Sequence, residues 1–321
     1  MNAHDLIKEA IAEKGKFDSV YWIACGGSMI DLIPAHELLQ REATTFTSYI
    51  YTAREFDIMR PRRLGEKSLV IACSHSGNTP EVVEGCEIAL AAGATVIAQT
   101  DNAGSKIDSG KWTTWVYPWG EGVPQAEVPA GISLLAAELL DQQEGYADLA
   151  DMYAGIAEMD KILPPAREKV NAELGDRFAK LCQEHEFFYI LGSGPNFSQT
   201  YGFAICSLME MQWQHCSYIH SAEYFHGPFE ATQDGVFYFL QMGSSECRAM
   251  DERALAFLKT HTDTLMVLDA KEYGMEAVPA SVRAYLDPVL FYAMNCELRA
   301  ARGKVFDHDP DFRRYMGVVE Y

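Results

Sequence analysis

The chain has 321 residues, 48% of them apolar, and a net charge of −20 from 26 basic and 46 acidic side chains. That length suggests two domains or two fused halves with a large core. The acidity argues against nucleic acid or an anionic membrane as the main partner, because both need a basic surface, although a local basic pocket for a small anion is still compatible with it.

The start, MNAHDLIKEAIAEKGK, is charged throughout, so no secretory signal is visible. No apolar run approaches the roughly 18 residues of a membrane span. The eight cysteines are scattered without a CxxC pair, and several lie in apolar runs where a free thiol packs as a small hydrophobe. These features predict a reduced, cytoplasmic protein.

Short apolar runs then alternate with longer helical patterns, which predicts parallel α/β architecture. VYWIAC (20–25), SLVIAC (68–73) and ATVIAQT (94–100) read as strands of a first half. FFYILG (187–192), VFYFLQM (236–242) and DTLMVLD (263–269) read as strands of a second. The halves repeat weakly. YWIACGGSM resembles FYILGSGPN, REF (54–56) resembles AEY (222–224), and LVIACSHSGN resembles FYFLQMGSSE, each last pair with a helix and a strand to follow. A repeat of this length means a duplicated domain. Pro164 and Pro165 are expected to end one helix and start the next, so the junction is set there, with domains 1–160 and 161–321. Helices around 130–162 and 166–185 are expected to flank it.

In parallel α/β sheets, ligands bind beyond the carboxyl ends of the strands. The loop SHSGNTPE lies at such an end. The hydroxyls of Ser74, Ser76 and Thr79 can donate hydrogen bonds, and Gly77 permits close backbone approach. Pro80 suits the first turn of the next helix, whose free N–H groups and positive dipole end favour an anion. Three hydroxyls exceed what one helix cap needs, so the stretch reads as a phosphate cradle rather than a capped turn. CGGSM (25–29) is a second strand-to-helix turn, which either adds Ser28 or is a plain tight turn. GSGPNFS (192–198) is not a dinucleotide fingerprint and no GxxxxGK[ST] occurs, so a sugar phosphate fits better than a nucleotide.

The second half carries acid–base groups. QTYGFAICSLMEMQW (199–213) reads as a helix with Phe203, Cys206, Glu210 and Trp213 on one stripe. A glutamate among apolar residues either faces a cation or lines a cavity, and an apolar cavity would suit a general base working near neutral pH. Glu223 and His226 follow in HCSYIHSAEYFHGPFE (215–230), with His226 before Gly-Pro in a constrained turn. Glu210, Glu223 and His226 are expected to converge on one pocket. Spacings of five and six between His215, His220 and His226 suit neither one helix face nor a tight zinc loop, so no metal is expected.

MEMQW (209–213), IHSAEYFHGPFE (219–230), DERAL (251–255) and the tail RRYMGVVEY (313–321) together resemble the sugar-isomerase (SIS) family over nearly the whole chain. Within it the resemblance is to the fructosamine-6-phosphate deglycase group. It implies two tandem SIS domains, each a three-layer α/β/α sandwich around a parallel sheet. It also implies cleavage of a 6-phosphorylated Amadori compound to glucose 6-phosphate and a free amino acid, with no cofactor. By position, Ser28, Ser74, His75, Ser76 and Thr79 match the family's sugar-phosphate loop. Glu210 matches its proton-shuttling glutamate, and His226, sixteen residues later, its ring-opening histidine. Glu223 matches a second acidic position. Gly27, Glu55, Arg313 and Tyr315 are further expected substrate contacts. Because such a histidine reaches a neighbouring subunit's pocket, a homodimer or larger assembly is implied. Relatives that make glucosamine 6-phosphate carry a tail lysine where this chain has Arg313, Arg314 and Tyr315, which argues against that synthesis. The rivals are an aldose–ketose isomerase and a non-catalytic sugar-phosphate sensor. The amine is left open: Arg54, Arg313 or Arg314 would suit an acidic one, Glu230 or Glu320 a lysine-derived one.

Overall fold

A computed structural model describes residues 2–119 and 127–320. It divides into two compact units, Met1–Ile156 and Ala157–Tyr321.

The first unit opens with α1 (Ala3–Lys14), capped at its start by the Asn2 side chain on the Asp5 N–H. Then come β1 (Ser19–Ala24), α2 (Gly26–Glu42), β2 (Thr47–Thr52), α3 (Ala53–Met59), β3 (Ser68–Cys73), α4 (Pro80–Ala91), β4 (Thr95–Thr100), β5 (Thr113–Val116) and α5 (Glu127–Glu144). The strands form one parallel sheet in the order β2-β1-β3-β4-β5. Every residue of β1 and β3 is buried, which is why both read as unbroken apolar runs: each has both faces covered. Gly145, at φ +91°, ends α5.

The second unit carries the same plan. After α6 (Leu149–Val170) and α7 (Asp176–Glu184) come β6 (Phe187–Gly192), α8 (Phe197–Gly202), β7 (His215–His220), β8 (Phe237–Met242), α9 (Arg248–His261), β9 (Leu265–Asp269) and α10 (Arg283–Phe306). Its parallel sheet runs β7-β6-β8-β9, the first unit's order without the last strand. Gly26 and Gly194, each second after its strand, both take positive φ (+55° and +60°), so the repeat extends to the turn.

Pro164 and Pro165 do not break the chain. Both lie inside α6, which passes through the π-helical turn Asn171–Gly175 into α7. Each proline removes one helical N–H, and the helix continues past them both. The expected helix at 130–162 is instead divided near Gly145. Three strands had gone unread: β2, β5 and β7, all at sheet edges and only part-buried, so their sequences mix polar with apolar residues.

Candidate functional site

The loop after β3 lies where the sequence places it, at the carboxyl end of a central strand. Gly77 sits at φ +67°, and a Cβ there would come within 1.9 Å of Ser105 Oγ, so only glycine fits. The Gly77 N–H bonds the Ser74 carbonyl (2.9 Å) and the Ile107 N–H bonds the Gly77 carbonyl (2.9 Å). Ser74 and Thr79 face each other, hydroxyl to hydroxyl, at 2.9 Å. Thr79 is the N-cap residue of α4 yet makes no side-chain cap bond, and Pro80 takes the first helical position. Ser28, in the first turn of α2 beside Gly27, accepts the His75 N–H at 3.1 Å and also meets the Cys73 thiol. Ser76 is exposed at the loop's tip, where Asn78 and Asn102 hold its carbonyl. The structure thus gathers Gly27, Ser28, Ser74, His75, Ser76 and Thr79 in one strand-to-helix cluster.

Sequence reading missed what stands behind that cluster. His75 Nδ1 lies 3.1 Å from the Tyr117 hydroxyl and its Nε2 lies 3.6 Å from Asp101. Tyr117 stacks on the imidazole, and Trp119 meets it edge-on. The buried Cys73 thiol is pushed up to about 12 by burial and then by the nearby Asp31 carboxylate. Asp31 is itself pushed up to about 7 by burial. Tyr117 follows β5, so it could be placed only after that edge strand was recognised.

Glu55 stands in the first turn of α3, just past the carboxyl end of β2. Its carboxylate accepts the Thr52 hydroxyl (2.8 Å), and the same Thr52 oxygen accepts the Glu55 N–H (3.4 Å), closing the start of α3. Arg54 faces Asp57, Glu81 and Glu84 at 3.7, 3.7 and 3.1 Å, so its charge is already matched.

In the second unit, α8 does not run on to residue 213. It widens at Phe203–Glu210 into a π-helix, whose longer repeat turns Phe203, Ala204, Ser207 and Leu208 inward and leaves Cys206 and Glu210 part-buried. The expected single stripe is therefore absent. Trp213 lies beyond the helix at φ +51°, in a turn held by Arg302, which donates to Gln212 Oε1 (3.0 Å) and Gln214 Oε1 (2.8 Å).

The C-terminal tail folds onto that turn. Trp213 is packed by His308 (ring centroids 4.6 Å), Phe312 (5.5 Å) and the Arg314 guanidinium, 3.6 Å over its ring. This clamp delivers Arg313 to Glu210: Nε and Nη2 lie 3.1 and 3.0 Å from the same carboxylate oxygen, Oε1. A cavity of about 420 Å³ opens beside the pair, lined by Met209, Glu210, Trp213, Arg313, Tyr315 and Met316 among others. Glu210, Arg313 and Tyr315 are thus brought together, and Glu210 has both a cation and a cavity.

Glu223 and His226 are not among the residues lining that cavity. Both are exposed on the connection between β7 and β8. The His226 N–H bonds the Glu223 carbonyl (2.9 Å), and Gly227 at φ +142° makes the expected constrained turn before Pro228. His215 is exposed, whereas His220 accepts the Ala222 N–H at 3.2 Å and has its pKa lowered by burial. Among the described residues, no group of three His, Cys, Asp or Glu is arranged to hold a metal ion. None of the described helices is long and apolar enough to cross a membrane.

The SIS domain family model matches residues 18–117, the stretch from β1 to Tyr117 that holds the Ser/Thr loop. Fructosamine deglycase FrlB of Bacillus subtilis is 36% identical over 96% of this chain and 94% of its own. The chain belongs to the SIS family, in its fructosamine deglycase group. Fructoselysine 6-phosphate deglycase of Escherichia coli K12 is 30% identical over 99% of this chain and 91% of its own. A Salmonella typhimurium LT2 structure, described as a phosphosugar isomerase, superposes with a TM-score of 0.95 at 32% identity, covering 100% of this chain and 96% of that one.

Proposed function

We propose that this SIS-family chain is a deglycase acting on 6-phosphorylated Amadori compounds, in which an amino acid nitrogen is bonded to C1 of 6-phosphofructose. The observation that carries the reading is Glu210, a carboxylate beside a cavity under the folded tail, in a chain similar along its length to two deglycases.

The Ser74–Thr79 loop, with Ser28, holds the phosphate through hydroxyl and N–H donors. His226 assists ring opening, which exposes the C2 ketone. Glu210 takes a proton from C1, and the C2 carbonyl gains one, giving a 1,2-enaminol. Return of the proton at C2 makes C1 an imine, the Schiff base of glucose 6-phosphate. Water adds to C1, the C1–N bond breaks, and the amine leaves with a proton. The net change is hydrolysis of one carbon–nitrogen bond coupled to a 1,2-proton shift that oxidises C1 to the aldehyde level and reduces C2 to the alcohol, with the substrate's own carbonyl and amine as electron sink. His226 is exposed on its own chain, which suits a role in a neighbouring subunit's pocket. The working form is accordingly at least a homodimer, and the compartment is the cytoplasm.

The test is release of glucose 6-phosphate, read by a coupled dehydrogenase, from 6-phosphorylated fructose-asparagine, fructose-aspartate and fructose-lysine. Fructose 6-phosphate and glucosamine 6-phosphate run alongside. Release from an adduct is the expected result. Turnover of fructose 6-phosphate alone would make the chain an isomerase. Sugar-phosphate binding without any turnover would make it a sensor.

A further inference from the structure

Arg313 occupies an unexpected place for a substrate contact: it is bonded to the carboxylate that should act as base. The ion pair is only part-exposed, 19% for the arginine and 25% for the glutamate. Two donors of the guanidinium already occupy Oε1, so a proton moving from C1 to that oxygen needs the arginine to stand aside. The pairing is also incomplete. Both nitrogens point at Oε1, so the planar fork of the guanidinium is not matched by two oxygens. Nη1 is spent on tail carbonyls, those of Pro310 and Phe312. The Nε/Nη2 edge is therefore the one that meets Glu210, and both residues line the cavity.

We propose that Arg313 is a substrate-displaced plug: it neutralises Glu210 until a carboxylate on the amino-acid half of the substrate takes over its Nε/Nη2 fork and frees the base. The inference rests on the deglycase reading above, and it names the substrate class. In an adduct linked through an α-amino group, only the nitrogen and one carbon separate C1 from the carboxylate carbon. If Glu210 works at C1, that carboxylate arrives beside Glu210, within reach of a guanidinium already 3.0 Å from it. Two oxygens can then meet the fork in the bidentate geometry that Glu210 leaves unused. In an adduct linked through the ε-amino group of lysine, four more methylene carbons intervene, and the carboxylate lies beyond the same fork. The chain is thus a deglycase for α-linked amino acids, and the tail reads the carboxylate. Arg54 does not compete for that role, because three carboxylates of its own unit already surround it. The Trp213 clamp fixes the flanking Arg314 and Phe312, so Arg313 can swing without release of the tail.

The experiment compares three adducts with the full-length wild type and Arg313→Ala: 6-phosphofructosyl-alanine, its decarboxylated twin 6-phosphofructosyl-ethylamine, and ε-linked 6-phosphofructosyl-lysine. Wild type should prefer the alanine adduct over the ethylamine adduct by about tenfold or more in kcat/KM, the worth of a hydrogen-bonded charge pair. Arg313→Ala should lose about that factor on the alanine adduct, mostly through KM. It should gain on both the ethylamine and the lysine adducts, because neither can displace the plug and the base is no longer blocked. The crossover separates a plug from a merely structural arginine. An equal fall on all three adducts, or no change on any, overturns the proposal; so does a loss on the lysine adduct as large as that on alanine. Arg313→Lys keeps the charge without the fork and should fall between the two, which preserves the test if the alanine variant folds poorly. Wild type that releases glucose 6-phosphate while the crossover is missing defeats the plug alone. Wild type that releases none from any adduct defeats the deglycase reading and the plug with it.

Discussion

The loops that follow β3 and β8 occupy matching places in two copies of one plan, yet they satisfy their donors differently. After β3, Ser74 and Thr79 face one another, and the start of α4 lacks a side-chain cap. After β8, the N–H and hydroxyl of Ser244 both donate to the buried carboxylate of Asp287, from the first turns of α10. The Asp287 oxygen lies so close to Gly243 that a Cβ there would be 2.9 Å away. Around it, the Ser193 hydroxyl bonds the Cys247 carbonyl (3.0 Å) and the Ser221 hydroxyl bonds Asp251 (2.6 Å). Arg248 grips Asp269 with two nitrogens. On the deglycase reading one loop offers its hydroxyls to the substrate phosphate, while the other has an internal carboxylate in its cradle. Duplication supplied the architecture twice, and in the second copy an acidic residue from α10, the helix after β9, fills the cradle. On the same reading the second unit's chemistry sits instead on the π-helix and the tail.

The comparison can be broken most sharply at Glu210. If the second unit supplies the proton transfer and the first holds phosphate, Glu210→Gln should lower kcat by at least about a hundredfold. Glucose 6-phosphate binding, followed by calorimetry, should stay near wild type; a parallel loss of binding would show that the division of labour is wrong. A paired substitution tests the two loops directly. Ser74→Ala removes a hydroxyl from the loop proposed to hold phosphate and should raise KM by about tenfold with little change in melting temperature. Ser244→Ala removes a donor from a buried carboxylate and should do the reverse, costing about 1–3 kcal/mol of stability with KM unchanged. If both variants shift KM alike, the second loop also meets substrate.

Much of this was legible from residue order. β1, β3, β6 and β8 are buried on both faces or nearly so, and buried parallel strands announce themselves as apolar runs. The Ser/Thr loop was legible because hydroxyls, glycine and a helix-starting proline fall together at a strand end. The edge strands were not, since β2, β5 and β7 expose part of their length and carry threonine, tyrosine, serine and histidine. Pro164 and Pro165 misled, because a long helix accommodates two missing N–H groups that local rules treat as a stop. The π-helix misled as well. A wide turn cannot be distinguished from an α-turn by apolar spacing, so the 3.6-residue stripe put Trp213 on a helix face when it stands in a left-handed turn. The Arg313–Glu210 pair spans 103 residues and depends on the Trp213 clamp. Position alone suggested only that the tail approaches the site.

The smallest effect falls on Asp287 and concerns pH. Burial pushes its carboxyl from the ordinary 3.8 up to about 7, against the opposing pull of the Ser244 donors and of the Arg283 and Arg248 charges. Across that interval the folded chain holds a proton that the unfolded chain has lost. Unfolding therefore releases a proton there, and stability falls as pH rises toward about 7, then levels off. Asp251, raised to about 6 by burial, tilts the curve the same way, as does Asp57, also near 6. Asp287→Asn keeps an oxygen for the Ser244 N–H and hydroxyl but cannot ionise. Its urea midpoint should decline less than that of wild type over the same pH window, with the residual slope due to the other buried carboxyls. If the two slopes coincide, the Ser244 donors and the arginines hold Asp287 charged in the fold, and the second loop carries a fixed anion where the first awaits a mobile one. If they diverge as expected, the carboxyl that fills the second cradle is neutral at low pH and forced to ionise only as the solution approaches neutrality.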